Sequence, residues 1–151
     1  KIMNKGSVDT DISIQQREAN TLQEIIDIHG NDYFHQVEQS VLLDFDGEDC
    51  VVATGGSAIY FADAMEKFKE QGKVVYIRVS LKTILRRLNN IKTRGVTLGK
   101  GQTIEDLYEE RTPLYENRSD IIIDAEGLSI EEIVEEIIRQ TGGEEKSDRC
   151  K

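Results

Sequence analysis

The stretch Val51–Ser57, VVATGGS, constrains this chain more than any other. It runs apolar without alternation and then breaks into two adjacent glycines, so it reads as a parallel strand buried on both faces that feeds a tight turn. The Gly-Gly step admits two readings. In one, backbone N–H groups approach a bound small molecule closely, at the strand edge where ligands of open α/β sheets sit. In the other it is a plain strand-to-helix turn, where glycine only relieves a positive φ.

The flanking patterns set the fold class. Ile12–Ile28 reads as two short helices stopped at His29-Gly30, and Tyr33–Asp46 as a further helix. A helix over Ile59–Gln71 closes at Gly72, Val74–Val79 is a second buried strand, and Ser80 caps the helix after it. Thr103–Tyr115 is helical until Pro113, the only proline, which is expected to kink or end it. Ile121–Asp124 is a last strand, and Ser129 with Glu132 forms the capping box of a closing helix. Strands alternating with helices at these lengths predict an α/β fold of three layers, α/β/α, around a parallel sheet. The reading is one domain over residues 1–141 and a charged, disordered tail over 142–151.

Composition narrows the function classes. A net charge of −10 lacks the basic face that nucleic acid requires. No apolar run reaches the length of a membrane span, and Lys1–Ser7 has no apolar signal-peptide core. Cys50 opens an apolar strand, as a small buried thiol, and Cys150 lies in the polar tail, so a disulfide is not expected. The expected setting is cytoplasmic, the expected state a monomer, and the expected partner a small molecule.

Several residues could carry chemistry. Asp9 and Asp11 in VDTD are two apart, which on an extended segment puts both carboxylates on one face; they could hold Mg²⁺ and accept a hydroxyl proton, or they could cap the next helix. Lys92–Gly101 is glycine-rich and carries Lys92, Arg94 and Lys100 against no acid, reading either as a loop that closes over an anion or as a plain surface connection. His29 and His35 have no second ligand at i+4 and read as solvated or half-buried side chains.

Taken in order, VDTD, the helix with Phe34 and Glu38, ATGGS, VVYIRVS, the basic loop, ERTPLYE and the IIID strand resemble the shikimate kinases from Val8 to about Thr141. The resemblance implies a P-loop, nucleoside-monophosphate-kinase-like fold and transfer of the ATP γ-phosphate, with Mg²⁺, to the 3-hydroxyl of shikimate. It implies that Asp9 serves the Mg²⁺ site and that Asp11 bonds the substrate hydroxyl as candidate base. It further implies that Gly55 and Gly56 seat the substrate ring, that Glu38 is a supporting acid, and that Arg111 grips the substrate carboxylate. Arg94 corresponds to the lid arginine that reaches the phosphates, and Arg87 to the position flanking adenine.

Three departures qualify the resemblance. The family places a strand, a Gly-rich loop ending in Gly-Lys-Ser/Thr and a helix before the Asp-Thr-Asp segment. Seven residues precede Val8, and Lys5-Gly6-Ser7 is not that motif. The first βα unit is therefore expected to be missing and these 151 residues alone are expected not to turn over. His35 stands where the family has an arginine on the substrate carboxylate, and loss of one such charged hydrogen bond costs about 1.5–3 kcal/mol. Ser57 stands where the family has a third turn glycine, and Arg94-Gly95 where it commonly has Arg-Pro. A kinase for another small hydroxy acid or polyol, and a non-catalytic ligand-binding module, are the alternatives.

Overall fold

The computed structural model describes residues 5–88 and 99–142. Strand β1 (Gly6–Asp9) leads directly into helix α1 (Thr10–Glu18), with α2 (Leu22–Asp44) and β2 (Cys50–Ala53) after it. A 3-10 turn (Gly56–Tyr60) and α3 (Ala62–Gln71) precede β3 (Val75–Arg78) and α4 (Leu81–Leu88). The remaining elements are α5 (Ile104–Arg118), β4 (Ile121–Asp124) and α6 (Ile130–Thr141).

The helix starts are fixed by their caps. Thr21 with Glu24, Thr103 with Asp106 and Ser129 with Glu132 each form a reciprocal capping box, satisfying amides that the first turn leaves without partners. Ser80 accepts from the Thr83 amide at 3.3 Å. Gly30, at φ 83 and ψ 171, interrupts α2 without ending it, so the expected stop is a kink with helix on both sides. Pro113 does not end α5. The residues beyond it are held from outside: Leu114 and Tyr115 pack on a hydrophobic cluster, and Arg118 Nη1 donates to the Ile59 carbonyl. Nor is Ile59–Gln71 one helix, because Phe61 at φ −91 and ψ 90 separates the 3-10 turn from α3.

Two apolar clusters fix this scaffold. Ile14 of α1 packs with Ile25, Phe34, Val37 and Val41 of α2. Leu42, Ala58, Ile59, Ala64 and Met65 form the second, with Tyr115 and Leu114 against it. Ala58 and Ile59 follow the Gly55–Gly56 step after the single residue Ser57, so α2, α3 and α5 together set the position of that turn.

Parallel pairing is as expected, but continuity is not. β1 pairs with β2 in the register Gly6↔Cys50 to Asp9↔Ala53, and β3 pairs with β4 from Val75↔Ile121 to Arg78↔Asp124. Among the described residues these are two separate two-stranded sheets. The strands expected to be fully buried are therefore half open: Val51 is 49% exposed and Ile77 47%. Cys50 is half-buried rather than buried, and α6 has no buried residue despite its apolar stripe. A parallel sheet hides its apolar residues only when both edges and both faces are covered.

Candidate active site

The Gly55–Gly56 turn is crowded by chemistry on both sides. A Cβ at Gly55 would stand 3.0 Å from Asp11 Oδ1 and 3.0 Å from Glu38 Oε1. At Gly56 it would stand 3.0 Å from Arg111 Nη1 and 3.1 Å from the Tyr115 hydroxyl. Two carboxyl groups thus face one glycine, and a guanidinium and a phenol face the next. Gly55 has φ −62 and ψ 156, and neither glycine has positive φ. These glycines are present for room among the surrounding side chains, so relief of a positive φ is not what the step supplies.

Each side chain reaches the turn from its own element. Asp9 ends β1 and caps α1, its Oδ1 accepting from the Asp11 amide at 2.9 Å. Strand therefore ends at Asp9, and Asp11 lies in the first helical turn. The two carboxylates do not share one face of an extended segment; the capping reading of Asp9 holds. Asp11 is half-buried, and burial, then the neighbouring Asp9 charge, raise its proton affinity above that of an ordinary aspartate. Glu38 comes from α2 and is 1% exposed. Burial pushes its carboxyl up and the Asp11 charge adds to this, while the Ser57 hydrogen bond and Arg111 oppose it.

The cationic side is built by α5 against the 3-10 turn. Arg111 Nε donates to the Tyr60 hydroxyl at 3.2 Å, its guanidinium carbon lies 5.2 Å from the centre of the Tyr60 ring, and Tyr60 in turn donates to Glu110. Four residues on, Tyr115 donates to the Gly56 carbonyl at 2.7 Å and stacks on Tyr76 of β3 at 5.0 Å. This i,i+4 pair makes α5 a clamp on the turn. Tyr115 and Tyr60 are raised chiefly by burial and stay neutral donors at physiological pH.

His35 is close to this group but differently equipped. Its ring meets Phe61 edge-on at 6.2 Å, and its Nε2 is buried without a hydrogen-bond partner. Burial first, then Arg111, lower its proton affinity, so it sits neutral. Arg87, in the last turn of α4, is exposed and makes no hydrogen bond or ion pair with another described residue. Arg94 lies outside the described residues.

Asp11, Glu38 and Arg111 are thus gathered at Gly55 and Gly56 from three helices, while Asp9 adjoins Asp11 as its cap and His35 lies against Phe61 just beyond the 3-10 turn. Sequence reasoning missed the roles of Tyr60 and Tyr115. The second was readable in principle, since Tyr115 stands four residues after Arg111 on a predicted helix; Tyr60 carried no such signal. Mg²⁺ takes oxygen ligands, commonly one or two carboxylates completed by water and substrate phosphates. Asp9 fits that demand: it is exposed, and only one of its carboxylate oxygens is used in the cap. Among the described residues no group of three His, Cys, Asp or Glu side chains could hold a metal alone. No helix among them is long and apolar enough to cross a membrane.

The architecture has close counterparts among solved structures. The shikimate kinase from Acinetobacter baumannii in complex with shikimate superposes with a TM-score of 0.81 at 26% identity, over 96% of this chain and 83% of that one. The shikimate kinase from Aquifex aeolicus gives 0.79 at 29% identity, over 94% and 84%. Parallel strands alternating with helices in this arrangement define the class as a P-loop kinase fold. The sequence model of the family described as shikimate kinase matches residues 1–141. The chain is similar to shikimate kinases from Syntrophus aciditrophicus, 31% identical over 87% of this chain and 75% of theirs, and from Persephonella marina, 32% over 87% and 80%. The chain belongs to the shikimate kinase family.

Proposed function

We propose that the Gly55–Gly56 turn is the floor of a site for shikimate, and that the chain holds the acceptor half of a phosphoryl-transfer centre. The observation that carries this reading is the convergence of opposite chemistry on adjacent glycines. Asp11 and Glu38 face Gly55, while Arg111 and Tyr115 face Gly56, each within 3.1 Å of where a Cβ would be. A small ring bearing a carboxylate and hydroxyls suits such a floor. Arg111 binds the carboxylate through its planar fork, a task in which lysine is a poor substitute. Asp11 accepts the proton of the reacting hydroxyl, helped by a proton affinity that burial and the Asp9 charge raise above that of an ordinary aspartate.

ATP with Mg²⁺ supplies the transferable phosphoryl group when bound. Asp9 would contribute a carboxylate oxygen to the metal, and the family resemblance assigns Arg94 to the phosphates and Arg87 to the adenine. Within these 151 residues there is no Gly-x-x-x-x-Gly-Lys-Ser/Thr segment to offer the β- and γ-phosphates a backbone cradle and lysine. These 151 residues alone are therefore not expected to turn over. The test is ADP release with ATP, Mg²⁺ and shikimate. No shikimate-dependent ADP from this chain, together with saturable shikimate binding, is the expected result. Sustained turnover overturns the inactivity, and absence of binding overturns the acceptor assignment.

One observation favours a second reading. His35 is neutral, with a buried and unpartnered Nε2, where the resemblance implies a second arginine for the carboxylate. An acceptor offering a hydroxyl or carbonyl to the imidazole would suit the site better than a second carboxylate fork. Competition among shikimate, other small hydroxy acids and neutral polyols separates the two readings.

A further inference from the structure

Ser57 comes directly after the two glycines, and its side chain turns inward: the residue is 6% exposed and its Oγ lies 2.8 Å from Glu38 Oε1 and 2.6 Å from Oε2. A serine hydroxyl has one proton. It can donate to only one of two carboxylate oxygens at full strength, and its lone pairs would then face the other. If that carboxylate were ionised, the second short contact would set lone pair against negative charge inside a buried space. Both contacts are favourable when the carboxyl carries a proton. The acid O–H then donates to Oγ, and the Oγ–H donates to the carbonyl oxygen, closing a six-membered ring of two hydrogen bonds.

We propose that Glu38 and Ser57 form a neutral, doubly hydrogen-bonded acid–alcohol pair, and that Ser57 is the positioning residue that holds the Glu38 carboxyl at the floor of the site. The proposal rests on the acceptor-site reading only for its consequence. A single donation from Ser57 to one carboxylate oxygen favours the ionised form, as does Arg111, but burial and the Asp11 charge outweigh them and the net direction is toward the protonated acid. From α1, Asp11 brings a negative charge to the same glycine. From α5, Arg111 and Tyr115 face Gly56, the next residue; the Arg111 charge opposes protonation of Glu38, but more weakly than the Asp11 charge favours it. His35, three residues earlier on α2, is held neutral. Burial, the largest influence, also favours the protonated form. With Glu38 neutral, the floor presents one carboxylate beside Gly55 and one guanidinium beside Gly56. An anionic acceptor then enters against one negative side chain instead of two.

Infrared spectroscopy of the intact chain in D₂O tests this directly and needs no acceptor. At neutral pD a carboxylic-acid C=O band is expected, absent in Glu38→Gln. In Ser57→Ala the band should move to higher frequency as the carbonyl loses its donor, and Ser57→Thr, which restores the hydroxyl, should return it. A residue that merely filled space would change the melting temperature without moving the band. If wild-type protein shows no acid band at neutral pD, or if the band is indifferent to Ser57→Ala in protein that retains its circular dichroism, the pair is refuted. Should Ser57→Ala fail to fold, the wild-type band and its disappearance as Glu38 ionises at higher pD still decide the question. Failure to bind shikimate would count against the acceptor site and leave this result untouched.

Discussion

Replacing Gly55 by alanine has an effect whose sign discriminates between two accounts of the turn. At φ −62 and ψ 156 an alanine is comfortable, and the loss of backbone freedom in the unfolded chain alone would stabilise the protein by about 0.4–1 kcal/mol. That is the outcome if the glycine merely makes a turn. The packing opposes it: the new methyl lies 3.0 Å from both Asp11 Oδ1 and Glu38 Oε1, inside ordinary van der Waals distance on two sides. Glu38 is 1% exposed and tied to Ser57, so it cannot swing away cheaply. Overpacking of this kind costs about 1–3 kcal/mol. The net change should be a destabilisation of roughly 1–2 kcal/mol, read by urea denaturation with unchanged slope, or a melting temperature lower by about 2–8 °C. Stabilisation in Gly55→Ala would refute the crowded-floor account.

The same contacts have other consequences. Tyr115→Phe removes the donor to the Gly56 carbonyl and should cost about 0.5–1.5 kcal/mol in urea denaturation, more than Tyr108→Phe, whose hydroxyl bond to Val79 is a long 3.4 Å. Arg111→Lys should weaken shikimate binding about tenfold or more in calorimetry, because the planar fork is lost while the charge stays. His35→Arg should strengthen that binding by about tenfold or more if the acceptor carries a carboxylate, and leave it unchanged or weaker if it does not. For pH, Asp11 and Glu38 both hold protons more tightly in the fold than their reference values of 3.8 and 4.5. Their contribution to stability is thus complete below those values and is lost as pH rises through the folded-state titrations. Glu38→Gln should flatten the decline above pH 4.5; an unaltered slope would contradict the raised Glu38.

The alternation of strands and helices was readable because so many helices announce their starts. Ser80 and Ser129, read as caps in the sequence, act as caps, and Thr21 and Thr103, not read as such, do so as well. Parallel pairing was also legible in unalternating strands such as Val51–Ala53. What strand composition could not convey is whether neighbours are present to cover it, and so Val51 and Ile77 were expected buried and are not. Of the two outcomes expected at Pro113, a kink or an end, the end does not occur, because Tyr115 and Arg118 are anchored to the 3-10 turn by contacts 59 residues distant in sequence. In the site, Asp11, Glu38 and Arg111 came from the ordered resemblance. The crowding that explains Gly55 and Gly56, and the inward turn of Ser57, depend on three helices meeting, which no local pattern encodes.

The most direct test of the central claim is a calorimetric titration of shikimate into the folded chain without nucleotide. An intact acceptor half predicts saturable binding at one site, weakened by Arg111→Lys. Absence of binding by protein whose circular dichroism and urea transition show it folded would contradict it.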